Sequence, residues 1–500
     1  MKQKNLVVSV PRLEPHRPPI SVAIIAHAIE LANHDVDAKD LNIEFYHFLQ
    51  DKEKYFTFDQ IWDNEREITL SEFKLVIKFI RSRDSYFTDI KTLMISVFGS
   101  SAYLFTHILC KYIRKHHPEI KIVLGGSGVS STNTFGDSEG FGQRLKRLGL
   151  ADGSIEGEGE VAIIEYLNEN FNYPGINGTP PAQVNDLDSL PFPNYKYFDL
   201  DLYVPPDKKN KEVFITGSRG CVRKCTYCDI ARYWPKFRYR SGKNIADEMI
   251  FHYEMTGVNK FYFTDSLING SMKAFRDMCN KLADYNQTHS AGFSWGGQFI
   301  WRPKRLDPPE NFEMMRLAGA DTFYVGVETG SDKIRWEMDK KFSNEDIDYA
   351  LEQFRKNDLK VMFLMLIGYL TETKEDHLET LAMFKRWQKY VATGTITGMD
   401  LGVTLVFLQG TPLEKMIESH GVSFLGADTT DQAWNLTTTK LWTSSINPDF
   451  TIDERIRRRI ETHKEAIKYN WPIWRSDQRL QSVKTMALRY KKILEEQKNS

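Results

Sequence analysis

Gly217-Ser-Arg-Gly-Cys221-Val-Arg-Lys-Cys225-Thr-Tyr-Cys228 decides how the rest of this chain reads. It gathers three of the five cysteines into eight residues, spaced C-x3-C-x2-C. Thiolates are soft ligands suited to iron–sulfur clusters and to zinc. Three thiolates closing round one cubane leave its fourth iron without a protein ligand and open to a small molecule. A structural zinc ion is the rival occupant. Zinc usually takes four closed ligands, and no His or Cys lies close by in sequence to complete a pair of C-x2-C knuckles. Cys110 and Cys279 fall on helical apolar faces and are expected to be core residues, since buried free Cys behaves as a small hydrophobe.

Around that stretch the composition is that of a globular protein. Five hundred residues imply roughly two to four domains. The hydrophobic fraction of 41 % and aromatic fraction of 13 % suffice for packed cores. A net charge of −1 argues against a dedicated polyanion binder or membrane-surface protein. The apolar run near Met1 is too short for a signal peptide, and no run reaches the length of a membrane span. Five cysteines with three clustered do not make a disulfide framework. These features predict a cytoplasmic protein with reduced thiols.

Downstream of the cysteines, strand and helix patterns alternate. Expected strands are Val213–Thr216, Lys260–Thr264, Gly292–Trp295, Thr322–Val327, Lys360–Ile367 and Met399–Phe407, with helices near Ala246–Met255, Met272–Tyr285, Glu310–Leu317, Asn344–Arg355 and Lys374–Tyr390. Repeated βα units with chemistry at the strand C-termini follow barrel logic. The cysteine spacing, Tyr227 just before the last cysteine and this order of elements resemble the radical S-adenosylmethionine (SAM) superfamily. The resemblance implies a partial (β/α)6 barrel and a 4Fe–4S cluster on Cys221, Cys225 and Cys228. It also implies SAM chelated to the open iron and cleaved to a 5′-deoxyadenosyl radical by an electron from a donor such as flavodoxin or ferredoxin.

Further motifs extend the resemblance. Phe261-Tyr-Phe-Thr-Asp265 ends the second strand, a position that faces the methionine part of SAM in the superfamily. Arg302, after the third, would pair with the SAM carboxylate through its planar fork. Tyr324-Val-Gly-Val-Glu328-Thr-Gly-Ser331 resembles the G-[IV]-E-[ST]-G-S signature that contacts SAM. Phe363-Leu-Met-Leu-Ile-Gly368-Tyr-Leu-Thr-Glu372-Thr resembles the fifth-strand run GxPGET beside the adenine, with Tyr369-Leu370-Thr371 in place of its Pro-Gly portion. Tyr227 would flank the adenine. Bland readings stand beside these. Asp265 and Glu328 would be surface carboxylates or helix caps, Arg302 a loop arginine, and Gly368 a turn glycine. Arg219, Arg223 and Lys224 would offset a cluster's negative charge or lie solvated.

Before the barrel, residues 1–180 alternate short strands (Leu6–Val10, Leu93–Phe98, Ile120–Leu124) with amphipathic helices, including Ile20–Leu31, and predict a Rossmann-like parallel α/β sheet. Neither Gly125-Gly-Ser-Gly-Val nor Gly157-Glu-Gly-Glu fits G-x-G-x-x-G, so a dinucleotide fingerprint is absent. The strand-Gly-Gly turn and the Gly-Glu-Gly-Glu turn resemble the cobalamin-binding domain that precedes many radical SAM barrels. Gly99, Ser100, Gly125 and Gly126 are then the small residues past which cobalamin's nucleotide tail would slide. The D-x-H-x-x-G motif that supplies a histidine to cobalt is missing, so the resemblance leaves two outcomes, cobalamin without that ligand or an empty scaffold.

The expected organisation is a cobalamin-binding-like domain at 1–180, a proline-rich linker strap at 181–211, the barrel at 212–425 and a helical basic extension at 426–500. In the extension Asp428-Thr-Thr-Asp431 marks the barrel exit, and Trp434 and Trp442 flank a stretch expected to cover the barrel mouth. From Thr451 onward there are 13 Lys/Arg against 7 Asp/Glu. Ile452, Ile456 and Ile460 recur every four residues and predict an amphipathic helix, the tail reading foremost as a helix pair packed on the barrel with a solvated face. With Tyr469, Trp471, Trp474 and Tyr490 the basic residues offer a weaker second reading, nucleic-acid binding.

The functional expectation is a radical SAM enzyme acting on an unidentified substrate, by methyl transfer if cobalamin binds and by rearrangement, oxidation or cyclisation otherwise. A methylthiotransferase is disfavoured, because its N-terminal domain needs a second cysteine triad. A non-catalytic zinc or iron–sulfur protein is the rival from another class.

Overall fold

The computed structural model describes residues 4–11, 13–49, 55, 58, 61, 67–130, 139–203, 209–402, 405–408, 410–425, 441–474, 483, 484, 487, 488, 490, 491 and 495. The chain forms two compact units, one of residues 1–215 with 254–260 and one of residues 216–253 with 261–500. Asp428-Thr-Thr-Asp431 and Trp434 lie outside the described residues.

The first unit holds a five-stranded parallel sheet in the order β2-β1-β3-β4-β5. Its strands are β1 (Lys4–Ser9), β2 (Val36–Asp40), β3 (Ile90–Ser96), β4 (Lys121–Gly125) and β5 (Gly153–Ser154). Val7, Met94 and Val123 pack with Val22, Ala26 and Ile29 of the helix Ile20–Leu31 and with Ala162, Ile163 and Tyr166 of the helix Gly159–Leu167. Aromatic rings fill a second core, with Phe45 against Phe79 and Phe105 at centroid distances of 5.1 and 6.2 Å. Cys110 is fully buried, as expected of a core residue. β2 escaped the sequence reading because Val-Asp-Ala-Lys-Asp is half polar, which an edge strand with one open side tolerates.

The strap after residue 181 is fastened to this unit. Asn194 N donates to Ala23 O at 3.4 Å, His27 Nδ1 meets Phe192 O at 2.6 Å, and Lys196 pairs with Glu30 at 2.5 Å. Tyr203 donates its hydroxyl to buried Asp40 at 2.9 Å.

A six-stranded sheet runs in chain order, β6-β9-β10-β11-β12-β13. Its members are β6 (Glu212–Ile215), β9 (Lys260–Phe263), β10 (Ser294–Phe299), β11 (Ala320–Glu328), β12 (Lys360–Met365) and β13 (Ile396–Asp400). The pairs from β10 to β13 are parallel. Such consecutive order, with helices between strands, is that of the expected partial barrel. β10 runs through Gly296-Gly297, beyond the expected strand end at Trp295. A Cβ on Gly296 would lie 1.9 Å from Thr322 O of the neighbouring strand, so these glycines allow close strand approach instead of a bend. Likewise β13 lies nearer the N-terminus than Met399–Phe407, because Asp400 Oδ1 accepts Gly402 N at 2.9 Å and Gly402 turns left-handed at φ 62°. The helix expected over Lys374–Tyr390 breaks at Trp387 into Lys374–Arg386 and Gln388–Ala392.

The helix Ile452–Lys468 corrects the reading of the basic extension. Its buried face is Ile452, Arg455, Arg458, Arg459, Thr462, His463 and Ala466, while Ile456 and Ile460 are only half-buried. Arg455 stacks 3.8 Å above Trp442, Arg458 lies 4.4 Å above Phe450, and Arg459 donates to Gly402 O at 2.9 Å. Arginine stems cover aromatic faces while the guanidinium tips find acceptors. The three arginines best placed to read as a nucleic-acid surface are therefore turned inward. No described helix is long and apolar enough to cross a membrane.

Candidate cluster and SAM site

The cysteine loop is shaped by its own flanks. Directly after β6, β7 (Ser218–Arg219) pairs antiparallel with β8 (Arg238–Tyr239), clasping the loop at its base. Trp234 lies between Arg219 and Arg238, 5.6 and 5.5 Å from its ring centroid. Gly220 is left-handed at φ 89°, and a Cβ there would press on Lys236 O at 3.0 Å. Thr226 anchors the far end: its N donates to Met338 O at 3.2 Å, and its hydroxyl meets that of Tyr369 at 2.7 Å.

Cys221, Cys225 and Cys228 are half-buried. Burial pushes the Cys228 thiol up to about 11, and it raises Cys225 as well, against the pull of Lys340. Coordination deprotonates a thiol outright, so a metal group would make ligands of these poorly ionised side chains. Beside them are donors without partners. Arg223 Nε and Arg302 Nη1 are buried and make no hydrogen bond, and Arg302 lies within electrostatic reach of Cys221 and Arg223. Arg302 spends its other terminal nitrogen on Asn269 O at 2.6 Å. Three thiols with unsatisfied guanidinium donors beside them fit an anionic cluster. Among the described residues no group of three His, Cys, Asp or Glu side chains is arranged to hold a single metal ion.

Glu328 closes β11 in a left-handed conformation at φ 68°, which is rare for a residue with a Cβ. Its Oε1 accepts from Tyr227 Oη at 2.7 Å and from Lys340 Nζ at 2.7 Å. It is 7 % exposed, so neither a surface carboxylate nor a helix cap describes it. Burial and the neighbouring Glu328 carboxylate hold the Tyr227 phenol well above its ordinary value. Burial alone would lower the Lys340 ammonium, yet the Glu328 carboxylate beside it holds it above its usual value. Lys340 was missed in the sequence, where nothing separates it from neighbouring Lys341. Only the fold brings it beside the cysteines.

Around Glu328 the signature residues do packing work. A Cβ on Gly330 would meet Glu379 O at 2.5 Å, and Ser331 Oγ donates to Asp376 at 2.7 Å. Gly368 is left-handed at φ 91°, and its N–H donates to Glu372 Oε2 at 3.1 Å. Tyr369, standing where the family run has its Pro-Gly portion, is fully buried and ties this turn to Thr226. Asp265 accepts from Gly217 and Ser218, so both of its oxygens are engaged. Cys279 is buried packing on the helix Met272–His289.

In the first unit the four small residues divide in two. Gly99 is extended at φ −164°, and nothing lies within 4 Å of a Cβ built there. Gly125 is nearly as open, with Ile155 O at 3.9 Å, and Ser100 is exposed. Gly126 is different: at φ 96° its Cβ would fall 2.5 Å from Val97 O, so its missing side chain makes room for this chain's own backbone. Open space is left at Gly99 and Gly125.

The radical SAM superfamily model matches residues 215–384, which contain the three cysteines, Glu328, Lys340 and Gly368. The chain carries a radical SAM domain. Such a domain implies a 4Fe–4S cluster and SAM. Cytidylyl-2-hydroxyethylphosphonate methyltransferase of Streptomyces wedmorensis is 25 % identical over 229 residues, covering 43 % of this chain and 41 % of that protein. The aligned part of this chain thus spans about two-fifths of that relative's length. Two solved structures share the fold: the radical SAM methyltransferase TsrM of Kitasatospora setae with cobalamin and a 4Fe–4S cluster bound has a TM-score of 0.61 at 16 % identity, over 86 % of this chain and 78 % of that one. The cobalamin-dependent SAM radical enzyme OxsB with aqua-cobalamin bound has a TM-score of 0.64 at 15 % identity, over 91 % and 66 %.

Proposed function

We propose that this protein is a cobalamin-dependent radical SAM methyltransferase acting on a substrate yet to be identified, reduced by an external flavodoxin- or ferredoxin-type donor. The observation that carries the reading is one chain holding both a three-cysteine radical SAM domain and a parallel sheet open at Gly99 and Gly125. Two solved structures that share this fold, those of TsrM and OxsB, are described with cobalamin bound. When bound, a 4Fe–4S cluster supplies the electron for SAM cleavage and cobalamin a transferable methyl group.

The chain's own residues bind and orient. Cys221, Cys225 and Cys228 would hold the cluster, with Arg223 and Arg302 donating toward its negative charge. Glu328 offers a carboxylate to the SAM amino group or ribose, and Lys340 an ammonium to its carboxylate. In this structure those two charges neutralise each other across 2.7 Å, so a charged ligand finds both already desolvated and positioned. Glu328→Gln and Lys340→Met are each expected to weaken SAM binding roughly ten- to a hundredfold, the range for a lost charge-assisted hydrogen bond. Iron content should not change. Equilibrium SAM binding to iron-loaded protein is the measurement, and unchanged affinity in both variants would remove the pair from the site.

Cobalamin retention tests the wider reading. Protein purified with cobalamin present should keep it, and Gly99→Leu, whose Cβ has no neighbour within 4 Å, should abolish retention with iron intact. Gly126 is unsuited to this test, because any side chain there disrupts the turn itself. Wild-type protein that cleaves SAM but binds no cobalamin would replace methyl transfer with direct hydrogen abstraction from the substrate.

A further inference from the structure

Asp265 follows β9, where the resemblance has it facing SAM, yet its surroundings give it another task. It is 3 % exposed. Its Oδ2 accepts Gly217 N–H at 2.8 Å, and its Oδ1 accepts the Ser218 hydroxyl at 2.6 Å. Ser218 Oγ also lies 3.3 Å from Leu267 O, and the hydroxyls of Thr216 and Thr264 meet at 2.7 Å. Three successive residues leading into the cysteine loop are thus stitched to the turn after β9. The fit leaves no slack, since a Cβ on Gly217 would lie 2.9 Å from Ile245 Cδ1 and 3.3 Å from Asp265 Oδ1. The cavity beside the carboxylate, lined by Phe237, Ile245, Phe263 and Met278, measures about 10 Å³. That is room for about one water molecule, far too little for part of SAM.

We propose that Asp265 is a positioning residue for the cluster loop and not a ligand of SAM: its carboxylate fixes the Gly217–Ser218 turn from which Cys221 is presented. The inference rests on the reading of Cys221, Cys225 and Cys228 as cluster ligands. The physical reason lies in the loop's composition. Gly217 and Gly220 give the backbone freedom on either side of Ser218 and Arg219, and a loop free to wander would present three thiols in the cubane geometry only part of the time. A buried carboxylate accepting two hydrogen bonds removes that freedom. Burial pushes its carboxyl up to about 6, against the hydrogen bonds from Ser218 and Gly217, so near neutral pH it is mostly ionised and both bonds are charge-assisted.

Iron release to a chelator from reconstituted protein reads the effect directly. Asp265→Leu keeps much of the volume and removes both acceptors, leaving Gly217 N–H buried and unpaired. Iron release should be roughly ten- to a hundredfold faster than in wild type, while SAM affinity of the still-loaded fraction is unchanged. Asp265→Asn can accept from Gly217 through its amide oxygen and donate to Ser218 through its amide nitrogen, so release should stay within about threefold of wild type. If Asp265→Leu does not fold, Ser218→Ala, which removes one of the two bonds, should still speed release measurably. Asp265→Leu (or Ser218→Ala in its place) holding iron as long as wild type overturns the proposal. So does loss of SAM affinity with iron retained, which returns Asp265 to the SAM site. Wild-type protein that takes up no iron would instead overturn the cluster reading beneath it.

Discussion

Cys225→Ala is expected to leave a folded protein that neither holds an iron–sulfur cluster nor cleaves SAM. Two thiolates cannot hold a cubane that already leaves one iron without a protein ligand, so no weakened cluster with its open site should survive. The fold should tolerate the change, because the loop's shape depends on other groups. The β7–β8 clasp, Trp234 between two arginines, and Thr226 bonded to Met338 and Tyr369 all remain. Iron analysis, the brown absorption of the reconstituted protein and 5′-deoxyadenosine formation from SAM under reductant would fall together, with the circular dichroism of wild type. A variant that still produced 5′-deoxyadenosine would sink the assignment of this loop. About one zinc per wild-type chain, in place of about four irons, would favour the zinc scaffold.

The second large effect is on stability, at Arg458→Met. Arg458 Nη1 reaches Glu372 Oε1 at 2.8 Å, Glu372 O at 3.1 Å and Thr373 O at 2.9 Å. Arg458 is 4 % exposed and Glu372 1 %. Burial raises the Glu372 carboxyl, while Arg458 and the Gly368 N–H pull it back. Removing one partner of a buried pair leaves an uncompensated charge, which costs about 3–5 kcal/mol. The unfolding midpoint should fall by on the order of 10 °C. Adding Glu372→Gln should restore part of the loss, since glutamine is neutral and still accepts from Gly368. A single variant as stable as wild type, or a double variant no better than the single, would show that the pair does not brace this turn. Because Glu372 also orders Gly368, the single variant should weaken SAM binding in protein that remains folded.

The chemistry of the site was legible in the sequence to the extent that it is local. C-x3-C-x2-C is a statement about adjacent residues, and so is the Gly-Val-Glu-Thr-Gly-Ser run, although Glu379 and Asp376, which Gly330 and Ser331 meet, come from a distant part of the chain. The helix Met272–His289 announced itself through the apolar period of Met272, Phe275, Met278, Cys279 and Leu282. Where one residue type serves two ends, the sequence was ambiguous. Gly296-Gly297 signals a turn or a close strand approach equally well. Gly126 signals room for a ligand or room for Val97 O. The arginines of Ile452–Lys468 read as a solvated face until Trp442, Phe450 and the carbonyls that receive them are in place.

By itself the sequence determined that three thiols share one loop, that strands and helices alternate after it, and that a parallel α/β sheet comes first, because each follows from spacing or periodicity within a few turns of chain. Only the tertiary structure decided which charges meet. Lys340 reaches Glu328 from twelve residues further along the chain, Asp265 reaches Gly217 across 48, and Arg458 reaches Glu372 across 86. A charge at a given position can be solvated, capping or paired at almost no difference in local propensity, and the large energies of burial that separate these outcomes exist only once distant strands have closed around it.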